Sequence, residues 1–205
     1  NDVDNILRLA SLYERSKLYD QAERAYRRIL LLSEDKIAGA WPLLRFYRDQ
    51  GRKSDMYPLF KQAADAADSE EDAARVQLLR GKAMQTLDNV AAEAHLRSAV
   101  EAAPDSAPAH EALADLLASE GKYSEAAEQM EHVVRLEPDL LAAKEKLIQY
   151  SIRAGTDDRL GKARTILQKA LSEDPTNADL LVLRAMLAAR EGTAGEAIEY
   201  LDSAI

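Results

Sequence analysis

The stretch Ala107–Leu140, APAHEALADLLASEGKYSEAAEQMEHVVRLEPDL, decides the fold of this chain. Its first half places Leu113, Ala114 and Leu117 at i, i+1 and i+4, one apolar face of a helix. Gly121 stops that helix, because glycine tolerates the left-handed conformation that follows a helix end. Ser124 is the expected N-cap of a second helix. Ala126, Ala127, Met130, Val133 and Val134 recur along it at helical spacing, and Pro138 ends it. The stretch is two amphipathic helices joined by a tight turn.

The same pattern extends outward in both directions. Two units upstream, Gly51, Lys53, Met56 and Asp68 stand where Gly121, Tyr123, Ala126 and Pro138 stand. Pro104, Pro138 and Pro175 close three consecutive units, spaced 34 and then 37 residues. The units run at about 3–36, 37–70, 74–106, 107–140, 141–177 and 178–205, the last stopping inside its second helix. The third is one residue short, and the fifth carries three extra residues around Thr156–Arg159, taken as a lengthened turn. A fixed period of this size marks a stacked array in which each unit touches only its neighbours. The expected fold is all-α: a single right-handed α-solenoid of about six antiparallel helix pairs.

These residues resemble the tetratricopeptide repeat. The first unit keeps Leu9, Ala10, Tyr13, Ala22 and Tyr26; the fourth keeps Leu113, Ala114, Ala126 and Pro138. The fifth keeps Leu147, Ala163, Leu167, Ala170 and Pro175, and the sixth Ala185, Gly192, Ala197, Leu201 and Ala204. The second and third units depart most, with Leu44 at a small-residue position of the first helix and Met56 at the alanine of the second. Small residues are needed where two helices cross closely, because bulk there strains a close-packed interior. The resemblance implies a protein-interaction array, often part of a longer chain.

Composition narrows the function classes. Of 205 residues 31% are charged, with a net charge of −9 and only 5% aromatic. Acidic excess repels a phosphate backbone, so no nucleic-acid partner is expected. No apolar run reaches the roughly 18–20 residues that cross a bilayer, so no membrane insertion is expected. Cysteine is absent, which removes disulfides, thiolate metal sites and a cysteine nucleophile. That absence suits a cytoplasmic and a periplasmic protein alike. No signal peptide is visible, and the chain starts without Met, as a fragment or a processed form would.

No catalytic constellation, cofactor motif or metal set emerges. His95, His110 and His132 occupy three different repeat positions, and each is expected on the surface or half-buried. Gly155 and Gly161-Lys162-Ala163 only superficially resemble a phosphate loop. The spacing is wrong, Ala163 replaces the hydroxyl residue, and the preceding segment is helical.

The first helices of such an array line its concave side, and helical spacing selects their inward positions. The candidate protein-binding residues are Trp41, Arg45 and Arg48, then Leu78, Lys82 and Gln85, then Glu111 and Asp115 with Ala118, then Glu145 and Gln149 with Ile152. Trp41 has two readings: an anchor in the groove, or the bulky core residue of its unit. A chaperone-tail grip of the kind some family members use needs Asn in these positions, and none is present.

The expected function is a non-catalytic scaffold binding a protein or extended peptide in its groove, with bacterial envelope assembly, secretion or polysaccharide export as settings. The alternative is a regulatory or targeting segment of a larger enzyme. The apolar Ile198, Leu201 and Ile205 suggest self-association through the last repeat.

Overall fold

The turns that fold each helix pair back on itself share one device. Gly51 (φ 67°) and Gly121 (φ 78°) take the left-handed conformation at equivalent positions, as do Gly155 and Gly192. Lys17 (φ 59°) and Thr86 (φ 71°) hold the same region without the help of glycine, a conformation that costs a side-chain-bearing residue on the order of 1–2 kcal/mol. The computed structural model describes residues 2–204, and among these every regular element is a helix. The chain is an all-α solenoid built from stacked helix pairs.

It divides into two compact units, one through Pro104 and one from Asp105. The first holds α1 (Asp2–Arg15), α2 (Tyr19–Leu32), α3 (Lys36–Asp49), α4 (Lys53–Asp65), α5 (Glu70–Met84) and α6 (Asn89–Ala102). Consecutive helices pack on one another, and α3 also packs on α5. The core is aromatic. Tyr26, Phe46 and Tyr47 are buried, with ring centroids 5.6 Å apart for Tyr26–Phe46 and 5.8 Å for Phe46–Tyr47. Leu44 and Met56, the two residues that break the small-residue pattern, are both fully buried. The α5–α6 pair goes the other way: a Cβ on Gly81 would fall 2.5 Å from Leu96 Cγ. Its turn, Gln85–Asp88, is one residue longer than Gln50–Arg52 or Glu120–Lys122.

Polar networks tie the first unit together. Glu14 of α1 accepts from Tyr26 Oη (2.6 Å) and pairs with Arg45 of α3 (3.2 Å). Glu23 of α2 accepts from Tyr47 Oη (2.8 Å), Arg27 (2.9 Å) and Arg52 (2.6 Å). Burial alone raises the Glu23 carboxyl, but the hydrogen bonds from Arg52, Tyr47 and Arg27 outweigh it and hold it below its ordinary value. Burial, then the bond to Glu23, pushes the Tyr47 phenol up to about 12.

The second unit holds α7 (Ala107–Ser119), α8 (Tyr123–Leu136), α9 (Leu141–Ala154), α10 (Asp157–Glu173), α11 (Ala178–Glu191) and α12 (Ala194–Ser203). Again consecutive helices pack, and α9 also packs on α11. Here the core is small and aliphatic. Ala114, Ala127, Met130, Val133 and Leu147 form one cluster, and Ile148, Ala163, Leu167 and Leu187 belong to another.

Two local expectations change. Ser124 is not the N-cap of α8, because the helix starts at Tyr123 behind Lys122, without a side-chain cap. The Lys122 N–H donates to Leu117 O (2.9 Å), which closes the turn one residue early. The extra residues at 156–159 do not lengthen a turn. Thr156 caps α10, and that helix runs for 17 residues against 14 in α8. The added length carries Arg159, 6% exposed, back onto α8. There it donates to Glu131 (2.7 Å), Glu128 (2.9 Å) and Ser124 O (3.1 Å).

Candidate protein-binding faces

First helices lie side by side where α3 packs on α5 in the first unit and α9 packs on α11 in the second. On the first unit, Trp41, Arg45 and Arg48 of α3 are all half-buried, as are Leu78 and Lys82 of α5. Gln85 is also half-buried, but it is the C-cap residue beyond α5 and its N–H donates to Gly81 O. The structure gathers three of these six into one cluster. The Arg48 guanidinium lies 5.7 Å and the Lys82 ammonium 5.3 Å from the Trp41 ring centroid. Arg48 Nη1 also donates to Lys82 O (3.4 Å). Leu43 and Leu44, two and three residues on, are fully buried, while the indole stays half-buried beside the two cations. Arg45 is drawn away, toward Glu14 and the Tyr26 hydroxyl (3.0 Å), where it ties α3 to α1 and α2.

On the second unit the face is acidic. Lys146 of α9 lies between Glu111 (2.8 Å) and Asp115 (3.0 Å) of α7. Tyr150, one turn on, donates to Asp115 (2.8 Å). Burial lowers the Lys146 ammonium, but the bonds to Glu111 and Asp115 more than reverse it. Burial, then the Asp115 bond, raises the Tyr150 phenol. Glu145, also on α9, is raised by burial and by the charge of Asp179 on α11. Gln149 is half-buried on the same helix, as is Ala118 on α7. Ile152 is not a face residue. It is 4% exposed and packs in the cluster that α9 shares with α10 and α11.

Lys146 and Tyr150 are absent from the sequence-derived set. Their spacing of four is the same as that of Glu145 and Gln149, one position round the helix, so periodicity alone offers both pairs. Contact with α7 selects the Lys146 pair. The net charge also divides unevenly. Residues 1–104 hold 16 Lys and Arg against 17 Asp and Glu, whereas residues 105–205 hold 11 against 19.

The histidines depart from expectation at one position. His110 is 2% exposed and stacks on His132 with ring centroids 4.5 Å apart. Its Nδ1 lies 2.8 Å from Gln129 Oε1, so the two histidines meet across the α7–α8 contact. His95 is half-buried, with Nδ1 2.9 Å from Gln77 Oε1. Among the described residues no group of three or more His, Asp or Glu is close enough to hold a metal. Gly155 caps α9 and Gly161 lies inside α10, so the loop-like spacing there belongs to helix geometry. Among the described residues no helix is long and apolar enough to cross a membrane.

A scan against family models matches residues 3–36 and 107–140 to the tetratricopeptide repeat. Two of the repeats are thus matched directly to the tetratricopeptide repeat, and the same helix-pair fold runs through the others. No curated protein matches it in sequence. Similar solved structures include MamA of MSR-1, 20% identical with a TM-score of 0.60, covering 83% of this chain and 95% of that one. PilF of Pseudomonas aeruginosa is 18% identical with a TM-score of 0.60, covering 97% and 88%. The Cut9–Hcn1 hetero-tetramer of the APC/C gives 18% identity and a TM-score of 0.58, covering 91% of this chain but only 35% of that one. At these identities the likeness is one of fold.

Proposed function

We propose that this array is a non-catalytic scaffold that holds another protein, or an extended segment of one, against its first-helix faces. The observation that carries the reading is a division of labour among side chains. Residues such as Leu43, Leu44, Leu113 and Leu117 of the first helices are buried in packing, whereas Trp41, Lys82, Glu111, Asp115, Glu145 and Gln149 stay half-exposed on first helices. Such faces offer polar groups, an aromatic anchor and a fixed backbone, which suit recognition of an extended chain. The setting we infer, bacterial envelope assembly, secretion or polysaccharide export, rests on composition and on the repeat pattern. Self-association through the last pair is supported by Ile198 (60% exposed) and Leu201 (44% exposed) on α12. Ile205 lies outside the described residues.

The test is position-specific photo-crosslinking in the host cell. A photoreactive residue at Leu78, on the face of α5, should capture a discrete partner. The same residue at Val90, 83% exposed on α6, should not. Equal capture at both positions would remove the first-helix face as the binding surface.

A further inference from the structure

The geometry points to the Trp41–Arg48–Lys82 cluster as a docking point for an acidic segment of a partner protein, with its carboxylate side chains on the two cations and a neighbouring apolar side chain on the indole. This rests on the scaffold reading and names the chemistry of one partner class.

The charge around Trp41 is unbalanced. Arg48 shares Asp49, 2.9 Å away on the same helix. Lys82 has no carboxylate partner among the described residues, and it faces the Trp41 ring instead. Its ammonium carries three donors, and the ring engages it through its charge rather than by hydrogen bonds. Lys146 on the second unit shows the contrasting case, a lysine satisfied by two carboxylates of its own fold. The surplus at Trp41 is local, because residues 1–104 are close to neutral as a whole. A ligand that neutralises it must bring anionic groups. One that uses the half-buried indole and Leu78 must also bring apolar surface. A peptide segment that alternates acidic and apolar side chains brings both. Nucleic acid brings the charge, but it must also approach a chain whose net charge is −9.

Trp41 is the only tryptophan in the chain, so its fluorescence reports this site directly. The full chain is titrated with a short, C-terminally amidated peptide of alternating Glu and Leu, with its Gln/Leu counterpart, with a Lys/Leu peptide, and with a single-stranded oligonucleotide. The expected result is a saturable change in indole emission with the Glu/Leu peptide alone, weakened by added salt. Lys82→Ala should weaken that binding about tenfold, the worth of one charge-assisted hydrogen bond, with the melting temperature unchanged. Lys61→Ala, on exposed α4 surface, should leave it unchanged.

The proposal is overturned if the Glu/Leu peptide is silent, if Lys82→Ala binds as tightly as the unaltered chain, or if the oligonucleotide binds equally well. Binding only when the peptide carries a free C-terminal carboxylate also overturns it, by assigning the cations to a chain end. If only the Gln/Leu or Lys/Leu peptide perturbs Trp41, the acidic class fails and the scaffold reading stands. Failure of the scaffold reading itself shows separately, as equal photo-crosslinking at Leu78 and Val90.

Discussion

The two units solve the same packing problem with different materials. In the first, the position held by Ala126 in α8 is held by Met56 in α4, and the position of Ala114 in α7 is held by Leu44 in α3. All four residues are fully buried. The first unit fills its interior with rings and ties its helices by carboxylate–phenol–guanidinium networks. The second brings small residues together and uses one buried arginine, Arg159, to fasten α10 to α8. A repeat position is therefore defined by the volume its neighbours leave, not by the residue type that usually fills it. The same contrast appears on the faces: loosely compensated cations around Trp41 in the first unit, and carboxylates around Lys146 in the second.

The largest expected effect breaks the aromatic solution. Phe46 lies between Tyr26 and Tyr47 and is fully buried, so Phe46→Ala should cost about 3–5 kcal/mol in urea unfolding. A loss below about 1 kcal/mol would show that the rings contribute little to the first core.

A reciprocal pair at one repeat position tests compensation directly. Met56→Ala gives the first unit the second unit's residue and should cost about 2–5 kcal/mol through the cavity it leaves. Ala126→Met makes the opposite exchange and should cost about 1–3 kcal/mol through overpacking. Both unfolding midpoints should fall. If Met56→Ala stabilises the protein, the first unit is merely a poorer copy of the second.

Acid should separate the two polar solutions. Glu23 has a carboxyl held below its ordinary value in the folded chain, so its contribution is present above the unfolded-state value, about 4.3, and is lost as pH falls through the folded value. Glu23→Gln should cost about 1–3 kcal/mol near neutrality and show a smaller further loss on acidification than the unaltered chain. Parallel stability–pH curves for the two proteins would remove Glu23 from the acid response. The smallest effect is favourable. Gly161 lies inside α10, where an added Cβ meets nothing within 4 Å, so Gly161→Ala should raise stability by about 0.5–1 kcal/mol in a thermal melt.

Much of the fold was legible because the repeat states its grammar several times. Spacing alone places Leu113, Ala114 and Leu117 on one face of a helix and Ala126 and Met130 along the next, and all five are buried. Turn glycines marked four of the pair closures, but Lys17 and Thr86 close two others without a glycine to announce them. The extra residues near Thr156 were visible as a count, but not as a longer helix. Whether added residues extend a turn or a helix depends on what the new side chain reaches, and Arg159 reaches α8.

The faces were less legible, for the same physical reason. Helical spacing says which residues share a side of one helix, and by itself the sequence determined the helix pairs, their period and most of the core. It offered Glu145 with Gln149 and Lys146 with Tyr150 on equal terms, and it left Trp41 between core and groove. Only the tertiary structure decided that Lys146 meets Glu111 and Asp115, that Arg45 turns back to Glu14, that His110 stacks on His132, and that Lys82 of α5 reaches Trp41 of α3. Those pairings join residues far apart in the chain, and periodicity carries no information about which neighbour a side chain meets.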